Sequence, residues 1–294
     1  MSEENLTSCP ICGHHHFSPF LQCKDYTQSN EYFSIQKCEA CGFLATTPRP
    51  SLENLSKYYK SDSYISHSGT QKGLINRLYH IVRRIALKNK INLINRLSEG
   101  EKKLLDYGCG TGAFLKVCSE KSWQVDGVEP DTDARGVASQ QNQKEIYEHI
   151  TQIPDNQKYN IITLWHVLEH IPDLRSSIRN ILGYLAPQGK LIIAVPNPES
   201  YDAQYFKEFW AAYDVPRHLW HFRKNDIENI FGQHQCRVKE ILPMPFDAYY
   251  IALLSTKYQK QQTSYIEALK IAWLSNKKGG KQNTSSLIYV IEKK

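Results

Sequence analysis

The sequence predicts an α/β fold, a mostly parallel sheet covered by helices on both faces and preceded by a small cysteine-bearing module. Three observations predict it. An apolar segment ending Leu104-Leu105-Asp106 runs into a glycine-rich turn and a helical pattern, and a second apolar segment, residues 125–129, follows at the distance one strand–helix–strand unit requires. Residues 159–165 and 189–197 are nearly continuous apolar runs, as expected of strands buried on both faces. Two CxxC pairs, Cys9/Cys12 and Cys38/Cys41, stand apart from this pattern at the amino-terminal end.

The chain has 294 residues, room for one catalytic-size domain plus an appendage. With 22% charged and 41% hydrophobic residues it is neither a wholly disordered chain nor a membrane protein by composition. There is no signal-like leader and no apolar run of about 20 residues, so a cytoplasmic location is expected. The formal charge of +6 permits contact with nucleic acid or anionic lipid without demanding it.

Of the eight cysteines, four lie in CPICG and CEACG. Thiols two residues apart converge on one ion, and the trailing glycine relieves the turn that brings them together. Cys9, Cys12, Cys38 and Cys41 are therefore the expected ligands of a structural, tetrahedral zinc in a zinc-ribbon-like module over residues 1–50. A short strand is expected at residues 32–35. His14, His15 and His16 are alternative ligands, although the four-thiol set is already complete, and Cys23 is expected to be a spectator.

Residues 46–59 contain two prolines and a helix-start signal at Ser51, with Glu53 in the first turn. This marks a boundary and opens a helical connector or lid over residues 51–98. Leu74, Leu78, Ile81, Ile85, Leu93, Ile94 and Leu97 recur at helical spacing. Arg77, Arg83, Arg84, Lys88 and Lys90 fall mostly off that stripe, on a solvated face. Tyr58, Tyr59 and Tyr64 lie where a lid could form.

The turn after Asp106 reads Tyr107-Gly108-Cys109-Gly110-Thr111-Gly112, not the GxGxxG of dinucleotide sites, and the acid before it would repel a pyrophosphate. A cationic cofactor fits better, with Glu129 at the end of the second strand placed to accept ribose hydroxyls. DYGCGTG and GVEPD resemble the first two motifs of the class I S-adenosylmethionine-dependent methyltransferases. The resemblance continues through residues 148–150, 159–170 and 189–197, and covers residues 99–245. It implies a Rossmann-like seven-stranded methyltransferase sheet with residues 238–242 and 286–291 as its last two strands, the whole domain spanning 99–294. It also implies S-adenosylmethionine as cofactor, bound through Asp106, Tyr107, Gly108, Cys109, Gly110, Gly112, Glu129 and Pro130, then His149, Ile150, Trp165 and His166. Where the family commonly carries an Asp near the adenine, this chain has His149.

The run from Phe206 through Trp210, Tyr213 and Asp214 to the PRHLWHF segment at 216–222 is a candidate acceptor wall. Its DxPRHLxHF pattern resembles one in the branch holding quinone-type O-methyltransferases and sugar C-methyltransferases. Transfer to an oxygen or carbon acid requires proton removal, so His170, His221 and His218 are the candidate bases. Trp210 and Tyr213 either stack on an acceptor ring or form a small core. An insertion at about 246–283 carries helical apolar pattern and many lysines, readable as an interfacial helix pair, a lid or a homodimer contact. The expected activity is methylation of a phenolic, sugar or lipid-like small molecule, with no stable nucleic-acid partner. The alternative is an RNA methyltransferase that reads its substrate with the ribbon.

Overall fold

In the computed structural model of this chain the described residues are 3–59 and 74–294, with side chains described from Val82 onward in the helix that starts at Leu74. Tyr64 and the side chains of Leu74, Arg77, Leu78 and Ile81 lie outside the described set. Strands β6 (Lys103–Tyr107), β7 (Gln124–Val128), β8 (Tyr159–Trp165), β9 (Leu185–Pro196), β11 (Cys236–Pro243) and β12 (Ser286–Lys293) form one sheet in the order β11-β12-β9-β8-β6-β7. The four strands from β7 to β9 are parallel, and β12 and β11 are antiparallel additions.

Among the described residues the sheet has six strands, not the seven expected. The third strand shrinks to a single parallel bridge between Val128 and Tyr147. Tyr147 bonds Gly127 and Glu129 in ladder fashion, but the amides of Glu148 and His149 both turn to the Gln152 side chain. That capping starts a short 3-10 turn at Ile150–Gln152, so the backbone leaves the ladder after one rung.

Alternation along each strand sorts side chains to two faces. Leu104, Ile161, Ile192 and Val290 meet Ile91, Ile94 and Leu97 of helix α2 (Leu74–Leu97). Leu105, Ile162, Leu191, Ile193 and Tyr289 meet Ile178 and Ile181 of α5 (Leu174–Tyr184) and Ile227 and Ile230 of α7 (Lys224–Gly232). Two residues of α2 depart from the expected stripe. Ile85 is exposed, whereas Lys90 turns inward, its Nζ lying 4.2 Å from the centre of the Trp165 ring. A flexible aliphatic stem lets the ammonium cross the apolar face and reach a polar edge.

The cysteine-bearing segment does not stand apart from this body. Strands β2 (Phe17–Lys24), β3 (Tyr32–Cys38) and β4 (Leu44–Thr46) form an antiparallel sheet whose fourth strand is β10 (Trp220–His221). Phe43 stacks on Trp220, and the indole N–H of Trp220 donates to the Ile171 carbonyl at 2.6 Å. Arg175, Arg223 and Gln233 donate to the carbonyls of Pro10, Ile11 and Cys41 in the two knuckles. These bonds tie the knuckles to the main body at half-buried contacts. Residues 246–283 form two packed helices, α8 (Asp247–Lys260) and α9 (Tyr265–Gly279).

Candidate active site

Beyond the carboxyl end of β6 the chain must turn sharply, and it does so at glycines. Gly108 (φ +74°) could carry no side chain, since a Cβ there would lie 2.5 Å from Val167. Gly110 (φ +53°) would point its Cβ into open space, so the backbone there presents its own face to a ligand. Gly112 caps helix α3 (Ala113–Ser119), which starts at the turn. Glu129, just past β7, fixes the turn from the neighbouring strand. One carboxylate oxygen accepts from the Gly110 amide at 2.8 Å and the other from Asp131 at 3.0 Å, and each retains a lone pair.

Asp106 is buried and accepts from Thr163 Oγ1 at 2.6 Å. Burial pushes its carboxyl up to about 6, against the opposing effects of Thr163 and Lys90, so the pocket favours a cationic group beside it. The buried indole N–H of Trp165 has no partner among the described residues. An unmet donor, a buried carboxylate and an open glycine face fit a ligand with an ammonium and nearby acceptor oxygens. Tyr107, Cys109 and Pro130 line the same turns, Ile150 is buried at the start of the 3-10 turn, and His149 is exposed.

A second cluster lies past the end of β8. His166 takes a left-handed backbone (φ +57°) unusual for a side chain with a Cβ. Its Nε2 lies 3.0 Å from Asp247 and its Nδ1 3.4 Å from Glu169. Burial alone would lower it, but these two carboxylates outweigh that and raise it to about 10, which favours the imidazolium. Glu169 is 1% exposed, with no hydrogen-bond partner for either oxygen among the described residues. Burial raises its carboxyl, yet His166, His218 and His170 together hold it below the ordinary range.

His170 and His218 stack edge-on at 4.6 Å beside Glu169. His170 Nδ1 is 3.1 Å from the Arg217 carbonyl and 3.0 Å from the Tyr59 hydroxyl. A carbonyl only accepts, so Nδ1 carries the proton and Nε2 keeps a lone pair. Burial and His218 lower His170 to about 4, which leaves it neutral near pH 7. His218 Nδ1 donates to the Ala212 carbonyl at 2.9 Å, turning Nε2 toward Glu169. One donor atom from each of Glu169, His170 and His218 lies within 4.8 Å of the others, and donors of this kind also take divalent ions.

His221 does not join this cluster. It is buried against Tyr213, with Nε2 3.0 Å from Thr46 Oγ1, and burial lowers it to about 3. Trp210 and Tyr213 are core residues, packed edge-on at 5.0 Å, and Trp210 Nε1 donates to Asp202.

The sequence anticipates that Arg217 ties this loop to Asp214, but not the partners that the cysteine-bearing segment adds. Arg217 is buried between Asp214 and Asp25, at 2.6 and 2.9 Å, and also donates to the Tyr58 carbonyl. Asp25 sits at the tip of the β2–β3 hairpin, so an acid from the cysteine-bearing segment fixes the residue whose carbonyl orients His170. Thr46, from the same segment, donates to the His218 carbonyl at 2.7 Å. Glu169 was missed, although the HxxEH run at 166–170 is a signal that could have found it. Lys90, Asp25 and Asp247 carried no such signal, because only tertiary packing brings them to the site.

In the cysteine segment, Cys9 and Cys41 sulfurs lie 3.6 Å apart, as do those of Cys12 and Cys38, and all four fall within 4.8 Å of one another. Four thiolates at about 2.3 Å from one ion stand about 3.8 Å apart at tetrahedral angles. The donor set therefore fits a zinc ion.

Residues 79–241, more than half of the chain, match the family described as a methyltransferase domain. The ubiquinone biosynthesis O-methyltransferase of Aeromonas salmonicida (strain A449) is 31% identical over 112 residues, 34% of this chain and 46% of that protein. That of Yersinia pestis (strain Pestoides F) is 32% identical over 120 residues, 37% of this chain and 49% of that protein. The match spans about half the length of these relatives. Among solved structures, magnesium protoporphyrin IX methyltransferase from Synechocystis with bound SAH aligns over 82% of this chain and 100% of that one, with a TM-score of 0.53 and 12% identity. A putative sarcosine dimethylglycine methyltransferase from Galdieria sulphuraria aligns over 74% and 87%, with a TM-score of 0.50 and 15% identity. At such identities the likeness is one of fold. With the glycine turn, the paired acids and the sheet already in place, the chain belongs to the methyltransferase-domain family and has the Rossmann-like fold of the S-adenosylmethionine-dependent enzymes.

Proposed function

We propose that this chain transfers a methyl group from S-adenosylmethionine to the oxygen or acidic carbon of a small phenolic, sugar or lipid-like acceptor. The observation that carries the reading is a convergence. Adjacent strands β6, β7 and β8 end at one edge, bringing the glycine turn and Glu129 beside a buried histidine–glutamate cluster that holds a neutral imidazole. Similarity to ubiquinone-pathway O-methyltransferases over the matched stretch supports an oxygen acceptor.

When bound, the cofactor supplies a methyl carbon activated by a sulfonium. Asp106 would pair with the ammonium of its amino-acid end, Lys90 with the carboxylate, and Glu129 with the ribose hydroxyls. His170 Nε2 would take the acceptor proton, with Glu169 stabilising the imidazolium that results and the Arg217 carbonyl fixing its tautomer. Orientation and exclusion of water would supply the remainder of the catalysis. His218 lines the same cluster, while His221 ties β10 to the cysteine segment. Cys9, Cys12, Cys38 and Cys41 would hold a structural zinc.

An RNA acceptor has less support, since Arg49, one of the few cations of the cysteine segment, is buried over Trp220 and paired with Glu4. The reading is tested by supplying S-adenosylmethionine with phenolic, sugar and lipid-like acceptors and following the demethylated product by mass spectrometry. A methylated acceptor is expected, and no cofactor binding at millimolar concentration would refute the assignment.

A further inference from the structure

Helix α9 packs inward through Ala268, Ile271, Ala272 and Ser275. Its outer face carries an apolar stripe at helical spacing, with Ile266 85% exposed, Leu269 54% and Trp273 52%. Large side chains exposed on successive turns mark a surface built to meet an apolar medium. Lys270 and Lys277 are exposed on the flank of this stripe, with Lys277 Nζ 4.7 Å from the centre of the Trp273 ring. Glu267, the helix's acid, turns away to Lys260 and Tyr205. The face is therefore apolar and cationic, without a carboxylate of its own helix.

Charge decides between occupants. A two-fold contact would set this patch against itself and bring Lys270 and Lys277 near their own copies. An anionic lipid surface satisfies the apolar stripe and its cationic flank together. The patch also leads toward the transfer site. The Pro245 carbonyl accepts from Asn276 of α9, Phe246 is exposed, and the next residue, Asp247, bonds His166.

We propose that the outer face of α9 docks on an anionic phospholipid bilayer, inserting Ile266, Leu269 and Trp273 while Lys270 and Lys277 remain among the headgroup phosphates. Docking sets the Phe246–Asp247–His166 edge against the membrane, where an acceptor dissolved in the bilayer can reach it. The delivery step rests on the proposed methyl transfer, whereas the docking itself does not.

The test uses the full chain with vesicles of phosphatidylcholine alone or mixed with phosphatidylglycerol, read by co-sedimentation and tryptophan emission. Partition into the anionic vesicles at least tenfold above the neutral ones is expected, weakening with salt, with a blue shift that Trp273→Phe removes. Ile266→Asp and Leu269→Asp should each lower partition at least tenfold and leave cofactor affinity by calorimetry unchanged, which shows that the fold is kept. Lys270→Glu with Lys277→Glu should remove the preference for anionic lipid. No partition into either vesicle overturns the proposal, as does equal partition into both. A dimer in light scattering that Ile266→Asp dissociates overturns it in favour of a second copy. Vesicle binding without cofactor binding would retain the docking surface and refute the methyl-transfer reading instead.

Discussion

The two ends of the site are built on different scales of the chain. At the proposed cofactor end, Glu129 accepts from Gly110, only 19 residues away, and strand, turn, helix and next strand follow one another without interruption. At the proposed acceptor end, Thr46 donates to the carbonyl of His218 across 172 residues, and Asp25 pairs with Arg217 across 192. A locally built site needs the sheet and little else. One assembled from distant segments depends on every element that meets there, including the cysteine-bearing sheet completed by β10. The cysteine segment thus shares a sheet and buried bonds with the histidine–glutamate cluster rather than standing apart from it.

That contrast can be broken in graded ways. The largest effect is expected for His170→Ala, which should lower kcat by about 10²- to 10⁴-fold and leave cofactor affinity unchanged. Unaltered turnover would move the base elsewhere. Asp25→Ala should come next, since it leaves the buried Arg217 with one carboxylate fewer. Breaking a buried pair costs up to about 3–5 kcal/mol, and retention of Asp214 should keep the loss below that range. Denaturant midpoints would measure the stability, and acceptor KM should rise while calorimetry shows the cofactor still bound. Glu129→Ala should weaken cofactor binding by about 1–3 kcal/mol and also lower stability, because the Gly110 and Asp131 amides lose their acceptor. Calorimetric affinity equal to the parent's would dismiss the ribose role.

Two smaller effects concern pH. His170 is lowered to about 4, so it stays deprotonated well below neutrality, and kcat/KM at saturating cofactor should be lost only as pH falls through that value. An acid limb near the ordinary histidine value of about 6.5 would contradict the burial argument. Glu292 is held down to about 2. Burial opposes this, but Arg237, Lys190 and Lys239 outweigh it. Its folded value lies below the ordinary one of 4.5, so its contribution is present above 4.5 and lost as pH falls toward 2. Glu292→Gln should flatten that part of the stability profile, and an unchanged slope would remove it from the account.

The same contrast explains what could be read in advance. The glycine turn, Asp106, Glu129 and the four cysteines are legible because their chemistry depends on spacing within a few residues or within one strand–helix–strand unit. The third strand was misread since the Gln152 side chain captures two amides that a ladder would have used. His218 and His221, three apart, invite placement in one pocket, but β10 is extended and its pairing with β4 carries His221 to Thr46. Lys90 follows the polar face of its helix by spacing, yet its stem reaches over Trp165 toward Asp106.

The most direct test is Cys38→Ser, measured by calorimetry for S-adenosylmethionine and by turnover of an acceptor, with elemental analysis for zinc. If the acceptor end is held by the cysteine segment and the cofactor end is not, zinc should be lost, turnover should fall at least about 100-fold, and cofactor affinity should stay within about threefold. Turnover that survives loss of the metal, or cofactor affinity that falls in step with turnover, would contradict the division between the two ends.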